Sequence, residues 1–207
     1  MTNYAQTERH ALADLFDKVG PDAPTLCGDW TTADLAAHLV VRERRPDGAV
    51  GILAPPLAAY AEKVRLGARD ANRWPDLVNK VRTGPPALLK RLDATVNTVE
   101  YLVHHEDVRR GGTDWEQRVL DADEEAAVWS RLGLLGRVLL RGAPVGVELV
   151  SPDHGRSRPR AGDVSVAVTG PPSELVLFAF GRQTKARVSL DGDEVSVERL
   201  RTASLGL

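Results

Sequence analysis

The stretch Thr98–Arg110, TVEYLVHHEDVRR, sets a glutamate and a histidine four residues apart. On an α-helix such positions lie one turn apart on one face, so Glu100 and His104 point at a single spot. The flanking sequence supports that helix. Val99, Leu102 and Val103 continue an apolar side that begins at Leu88, Leu89, Leu92 and Val96. Pro85 and Pro86 open the run. Gly111-Gly112 close it behind Arg109 and Arg110, whose charge complements the helix dipole. A carboxylate beside an apolar stripe is costly to bury without a partner, and a metal ion is one partner that suits it. His105 lies about 100° further around the helix, so it is expected to face solvent or a neighbouring helix.

A third ligand is available upstream. In Thr31–Pro46, TTADLAAHLVVRERRP, His38 sits on a second predicted helix with Thr31 as its N-cap and Asp34 three residues on. His38, Glu100 and His104 together form a His₂Glu set, which a catalytic zinc uses when a fourth position stays open for water or substrate. Each half is ordinary by itself. Glu-x-x-x-His is commonly a surface pair, and a histidine among Leu35, Ala36, Leu39 and Val40 is more often a hydrogen-bonded core residue. The combination is stronger, because bundle cores build metal sites from inward-facing side chains on separate helices. Asp34 and Glu106 are the nearest residues in sequence that would close the coordination; Asp34 is alternatively a group that orients a ligand.

Outward from these two segments, residues 2–19 read as a helix stopped by GPDAP. Residues 47–56 read as a turn before a helix around Leu57–Leu66, and a short helix follows Trp74-Pro75. A fourth long helix is expected over Asp123–Arg141. Four long amphipathic helices suggest a bundle over residues 1–142. From Ala143-Pro144 the period changes to two. VGVELVS and DVSVAVTG read as strands, PPSELVLFAFGR as a helix, and KARVSLDGDEVSVERL as a hairpin turning at Asp191-Gly192. The expected fold class is α+β, with a helical bundle followed by a small α/β domain at residues 143–207.

Composition narrows the function. A chain of 207 residues can bury a core unaided, and a net charge of -2 offers no electrostatic case for nucleic acid. Arg42, Arg44 and Arg45, like Arg156, Arg158 and Arg160, read as solvated faces. The sole cysteine, Cys27, excludes an internal disulfide and fits a reducing cytoplasm; it reads as a small buried apolar residue. No apolar run approaches a membrane span, and MTNYAQTERH lacks a signal-peptide core, so a soluble cytoplasmic protein is expected. Arginine outnumbers lysine by 22 to 5, a bias typical of high-GC genomes.

The segment TLCGDWTTADLAAHLVVRERRPDG resembles the second-helix signature of the mycothiol-dependent maleylpyruvate isomerase family, within the DinB-like superfamily. The match runs through Leu26, Cys27, Trp30, Thr31, Asp34, Leu35 and His38. A second signature matches Glu100, His104 and Asp107. The resemblance implies a DinB-like four-helix bundle holding zinc through His38, Glu100 and His104, with nickel or iron also compatible with the set. It implies mycothiol, an actinobacterial thiol, as cosubstrate, and an isomerase or transferase acting on a small electrophile. ELVLFAFGR…VSLDGD is similar to a sterol-carrier-type C-terminal domain, and Arg182 matches a family arginine thought to assist catalysis. Arg182 is equally readable as a cap on the last helical turn. The HHEDVRR version resembles a subfamily described only as metal-binding. Water in place of the thiol would give a hydrolase, and a closed site would make the metal structural. The partners expected are a small-molecule thiol and a substrate.

Overall fold

The computed structural model describes residues 3–45, 58–85 and 90–206. The described helices are α1 (Tyr4–Val19), α2 (Thr32–Arg44), α3 (Ala58–Asp70), α4 (Trp74–Thr83), α5 (Lys90–Arg109), α6 (Ala122–Leu139), α7 (Pro172–Ala179) and α8 (Glu194–Arg201). The strands are β1 (Gly146–Ser151), β2 (Gly155–Arg160), β3 (Ser165–Thr169) and β4 (Ser189–Asp191). The fold is α+β, as the change of period implied. The expected turn at residues 47–56 and helix start at Pro86 lie outside the described residues, as do the side chains of Leu88, Leu89, Leu92 and Val96.

Contacts divide the chain into two compact units, Met1–Trp115 and Glu116–Leu207. The first unit is helical. α1 packs on α5 and α4, and α2 packs on α3 and α4. Their shared core contains Leu12, Phe16, Leu35, Leu39, Leu77, Val81 and Tyr101, all almost fully buried. Its helix ends follow local chemistry: Asn3 caps α1 through Gln6 N, and Thr31 and Asp34 form a capping box at α2.

The second unit holds the strands together with α6, which packs on α7 and β2. The helix expected over Asp123–Arg141 is present as α6, within the second contact unit. The pattern change near residue 142 marks where the sheet begins, whereas the contacts divide the chain earlier. The sheet order is β2-β1-β3-β4, with β1 parallel to β3 and the other pairs antiparallel. Val147, Leu149, Val166 and Val168 are fully buried, as are Leu175 to Leu177 of α7. Gly181 ends the α7 segment at φ +86, a conformation that L side chains rarely adopt.

One expectation in this unit is corrected, and one strand is added to it. The segment read as the second arm of a hairpin is α8: Asp193 caps it by accepting from Ser196 N, and Ser196 and Leu200 are buried one turn apart. Strand β2, GRSRPR, carries no apolar alternation because it is an exposed edge strand. Arg156, Arg158 and Arg160 on it are solvated, as expected. Arg42 and Arg44 are not. Both are partly buried, and each is tied to neighbouring helices.

Candidate metal centre

The loop leading into α2 is fixed before the helix begins. Thr25 Oγ1 accepts from Cys27 N at 3.1 Å and donates to the Trp30 carbonyl at 2.8 Å. Leu26 N donates to the Asp107 carbonyl at 3.0 Å, which ties the loop to the last turns of α5. Gly111 permits this approach, since a Cβ there would lie 2.1 Å from the Pro24 carbonyl oxygen. Asp34 continues the framework. It caps Thr31 and accepts from Arg65 Nη1 at 2.5 Å and Arg69 Nη1 at 2.8 Å, pinning α3 to α2. Burial alone would raise its pKa, but the hydrogen bonds from Arg65, Thr31 and Arg69 outweigh that and lower it to about 2. Arg65 lies over the Trp30 ring at 4.6 Å, and that ring stands 5.2 Å from the His38 ring. A chain of contacts thus holds His38 from behind.

On this framework His38, Glu100 and His104 bring one ligand atom each within 4.8 Å of one another. Glu100 Oε1 lies 3.2 Å from His104 Nε2 and 3.9 Å from His38 Nε2. Tetrahedral zinc with bonds of about 2.0–2.2 Å separates its ligands by roughly 3.4 Å, so the three atoms fit around such an ion. All three side chains are mostly but not wholly buried, at 11–17 % exposure. Arg42 Nε approaches Glu100 Oε1 at 3.3 Å, and Arg42 Nη1 donates to Asn97 Oδ1 at 2.5 Å.

His104 is supported on its other nitrogen. Nδ1 lies 2.9 Å from Asp107 Oδ2, and the fully buried Asp107 also accepts from the Cys27 thiol at 3.0 Å. A carboxylate on the distal nitrogen of a ligating histidine fixes the ring and its tautomer. Cys27 is therefore more than apolar filler, contrary to expectation. Cys27, His104 and Asp107 make a second tight group of potential ligand atoms.

The electrostatics follow from burial and pairing. Burial opposes the charge on Glu100, yet the hydrogen bond from His104, the neighbouring His38 ring and the positive charges of His104 and Arg42 hold its carboxyl well below the usual range. Burial likewise opposes the charge on His104, but Asp107, Cys27 and Glu100 raise its pKa well above that of a free histidine. His38 is pushed down, chiefly by burial. The remaining candidates stand elsewhere. Asp34 is occupied as described, and Glu106 accepts from Arg109 and Arg110. His105 Nδ1 meets the buried Glu8 at 2.8 Å, the helix-neighbour placement expected for it. Arg182 belongs to the second unit, where Nη1 donates to the Phe180 carbonyl at 2.6 Å.

Residues 5–140 match the model of the mycothiol maleylpyruvate isomerase N-terminal domain. The chain belongs to this family. Two solved structures resemble it over most of its length. One is the mycothiol-dependent maleylpyruvate isomerase, with a TM-score of 0.56 and 16 % identity; the other is a histidine-to-alanine mutant of that enzyme, at 0.59 and 15 %. Each comparison covers 92 % of this chain and 91 % of the other. At such identities the likeness is one of fold. A comparison with curated proteins gave no match.

The site also contains groups that the sequence reading did not bring to it. Arg42 and Asn97 carried no visible signal, because a pairing between helices 55 residues apart has no periodicity of its own. Among the described residues, no helix is long and apolar enough to cross a membrane.

Proposed function

We infer that the chain is a divalent-metal enzyme of the isomerase or transferase type that takes a small thiol, mycothiol, as cosubstrate for a small electrophile. The observation that carries this reading is the convergence of His38 Nε2, Glu100 Oε1 and His104 Nε2 on one partly exposed point. Family membership supports the choice of thiol. Zinc is the ion the donor set suits best. When bound, it supplies a Lewis-acid centre that lowers the pKa of a coordinated thiol or water.

The chain's own residues prepare that point. Asp107 accepts the His104 Nδ1 proton and leaves Nε2 as the ligand atom. His38 is neutral through burial, so its lone pair is free at neutral pH. Glu100 is anionic and held by Arg42. His104 carries a proton between its two carboxylates when no ion is bound, and ligation displaces it. Metal affinity therefore falls as the pH falls. In this reading Arg182 binds a carboxylate of the substrate or thiol.

Elemental analysis and calorimetric titration with mycothiol test the proposal. The purified protein is expected to hold one divalent ion per chain. His38→Ala should lose both ion and thiol affinity while keeping its helical circular dichroism, because packing of apolar faces supplies most of the bundle's stability. Arg182→Ala should keep the ion and lose about 1.5–3 kcal/mol of affinity for an anionic ligand. Unchanged thiol affinity in both variants would remove the thiol from the reading.

A further inference from the structure

On the other side of α2 lies a cavity of about 570 Å³ with a different chemistry. Val40 and Arg44 line it, and each stands two residues beyond His38 and Arg42, hence about 200° around the helix from the metal-facing side. Val64 and Ala68 of α3 extend the apolar wall begun by Val40. Arg44, Arg45, Lys63 and Lys80 place four cationic side chains around it, and among the described residues no acidic one lines it.

This arrangement is exceptional within the helical unit. Among the described residues, the other partly or fully buried arginines pair with carboxylates: Arg9 with Glu43, Arg42 with Glu100, Arg65 and Arg69 with Asp34, Arg82 with Asp14, and Arg109 and Arg110 with Glu106. Arg44 instead spends Nη2 on the Lys80 and Gly84 carbonyls and on Thr83 Oγ1, all neutral, and its Nε is buried with no hydrogen-bond partner. Lys80 reaches only the neutral Asn72 amide oxygen. Lys63 makes no ion pair with a described residue. A buried guanidinium nitrogen without an acceptor is costly, and three uncompensated cations around one cleft raise the local concentration of anions. The volume lies in the range of small-molecule sites, and an apolar wall with a few polar groups is their usual make-up.

We propose that the cavity between α2, α3 and α4 is a second ligand site that binds a small amphipathic anion, a single acidic head on an aliphatic or aromatic body. The head meets Lys63, Lys80 and Arg44, while the body lies on Val40, Val64 and Ala68. This site is independent of the metal reading, because it shares no residue with the metal centre.

Titration of the full-length protein with octanoate, followed by backbone amide NMR shifts and calorimetry, tests the proposal. 1-Octanol and inorganic phosphate serve as the head-less and body-less controls. Octanoate should saturate with shifts clustered on α2, α3 and α4, and both controls should bind at least tenfold more weakly. Lys63→Glu, an exposed change that spares the core, should weaken octanoate at least tenfold. Lys18→Glu, and the metal-site variant His38→Ala, should leave octanoate binding unchanged. The proposal is overturned if octanoate fails to saturate, if either control binds equally well, if Lys63→Glu has no effect, or if the shifts centre on His38 and Glu100.

Discussion

Glu43, which is buried, and Glu100, which is mostly buried, are carboxylates of the helical unit whose surroundings differ in one decisive way. Glu43 is closed. Arg9 grips it with two bonds of 2.6 and 2.7 Å, the Tyr101 hydroxyl donates at 2.7 Å, and Arg9 lies over the Tyr101 ring at 4.2 Å. Glu100, the residue next to Tyr101 on α5, is open. Its Oε1 is approached at 3.2, 3.3 and 3.9 Å by His104, Arg42 and His38, none as short as the bonds from Arg9 and Tyr101 to Glu43. Asn97 bridges the two, receiving from Arg42 and donating to Glu43 at 3.5 Å. A network whose lone pairs are matched at short range specifies structure. One whose ligand atoms converge with room between them suits an ion.

The largest effect should therefore fall on the closed side. Arg9→Ala leaves Glu43 buried without its cation and should cost about 3–5 kcal/mol in urea denaturation. Replacing the network with apolar residues, as in the combined variant Arg9→Met, Glu43→Leu and Tyr101→Phe, should recover most of that loss. A large loss in His38→Ala as well would erase the contrast between the two networks.

Asp34 is a second closed carboxylate and gives a smaller, pH-dependent effect. Its folded pKa of about 2 lies below the ordinary 3.8, so the folded state binds fewer protons there. Its contribution is fully present above about pH 4 and is lost as the pH falls through 2. Its size is about 2 kcal/mol, from a shift of nearly two pH units. Stability measured against pH should show this slope in the parent and lose it in Asp34→Asn. An unchanged slope in the variant would place the acid sensitivity elsewhere.

The smallest effect concerns the support of the open site. Asp107→Asn keeps a hydrogen-bonding group beside His104 but removes its charge. Metal affinity should drop at least tenfold, about 1.4 kcal/mol, with the His38 and Glu100 ligands intact. Competition with a chelator of known affinity measures it. A variant that binds the ion as tightly as the parent would mean that Asp107, like Glu43, serves only the fold.

The misread segments of the second unit have a common cause. VSVER alternates for only a few residues, too few to separate a period of two from one of 3.6, and Val195 is in fact 69 % exposed on a helix. In β2 the alternation was missing because neither face of an edge strand rich in arginine is a core face. Segments with one strongly buried side, such as α1, β1 and β3, match their reading.

The sequence by itself determined the helix that carries Glu100 and His104 and their common face, because spacing along a helix is local geometry; the family came from the resemblance of its two signatures. It also presented His38 as a histidine in an apolar helix. Only the tertiary structure decided that His38 meets Glu100, that Asp107 and Cys27 stand behind His104, and that Arg42 turns inward while Arg44 faces a cavity. Those outcomes depend on which helix faces pack together, and on which buried charge finds a partner there. Neither is written in the period of any single segment.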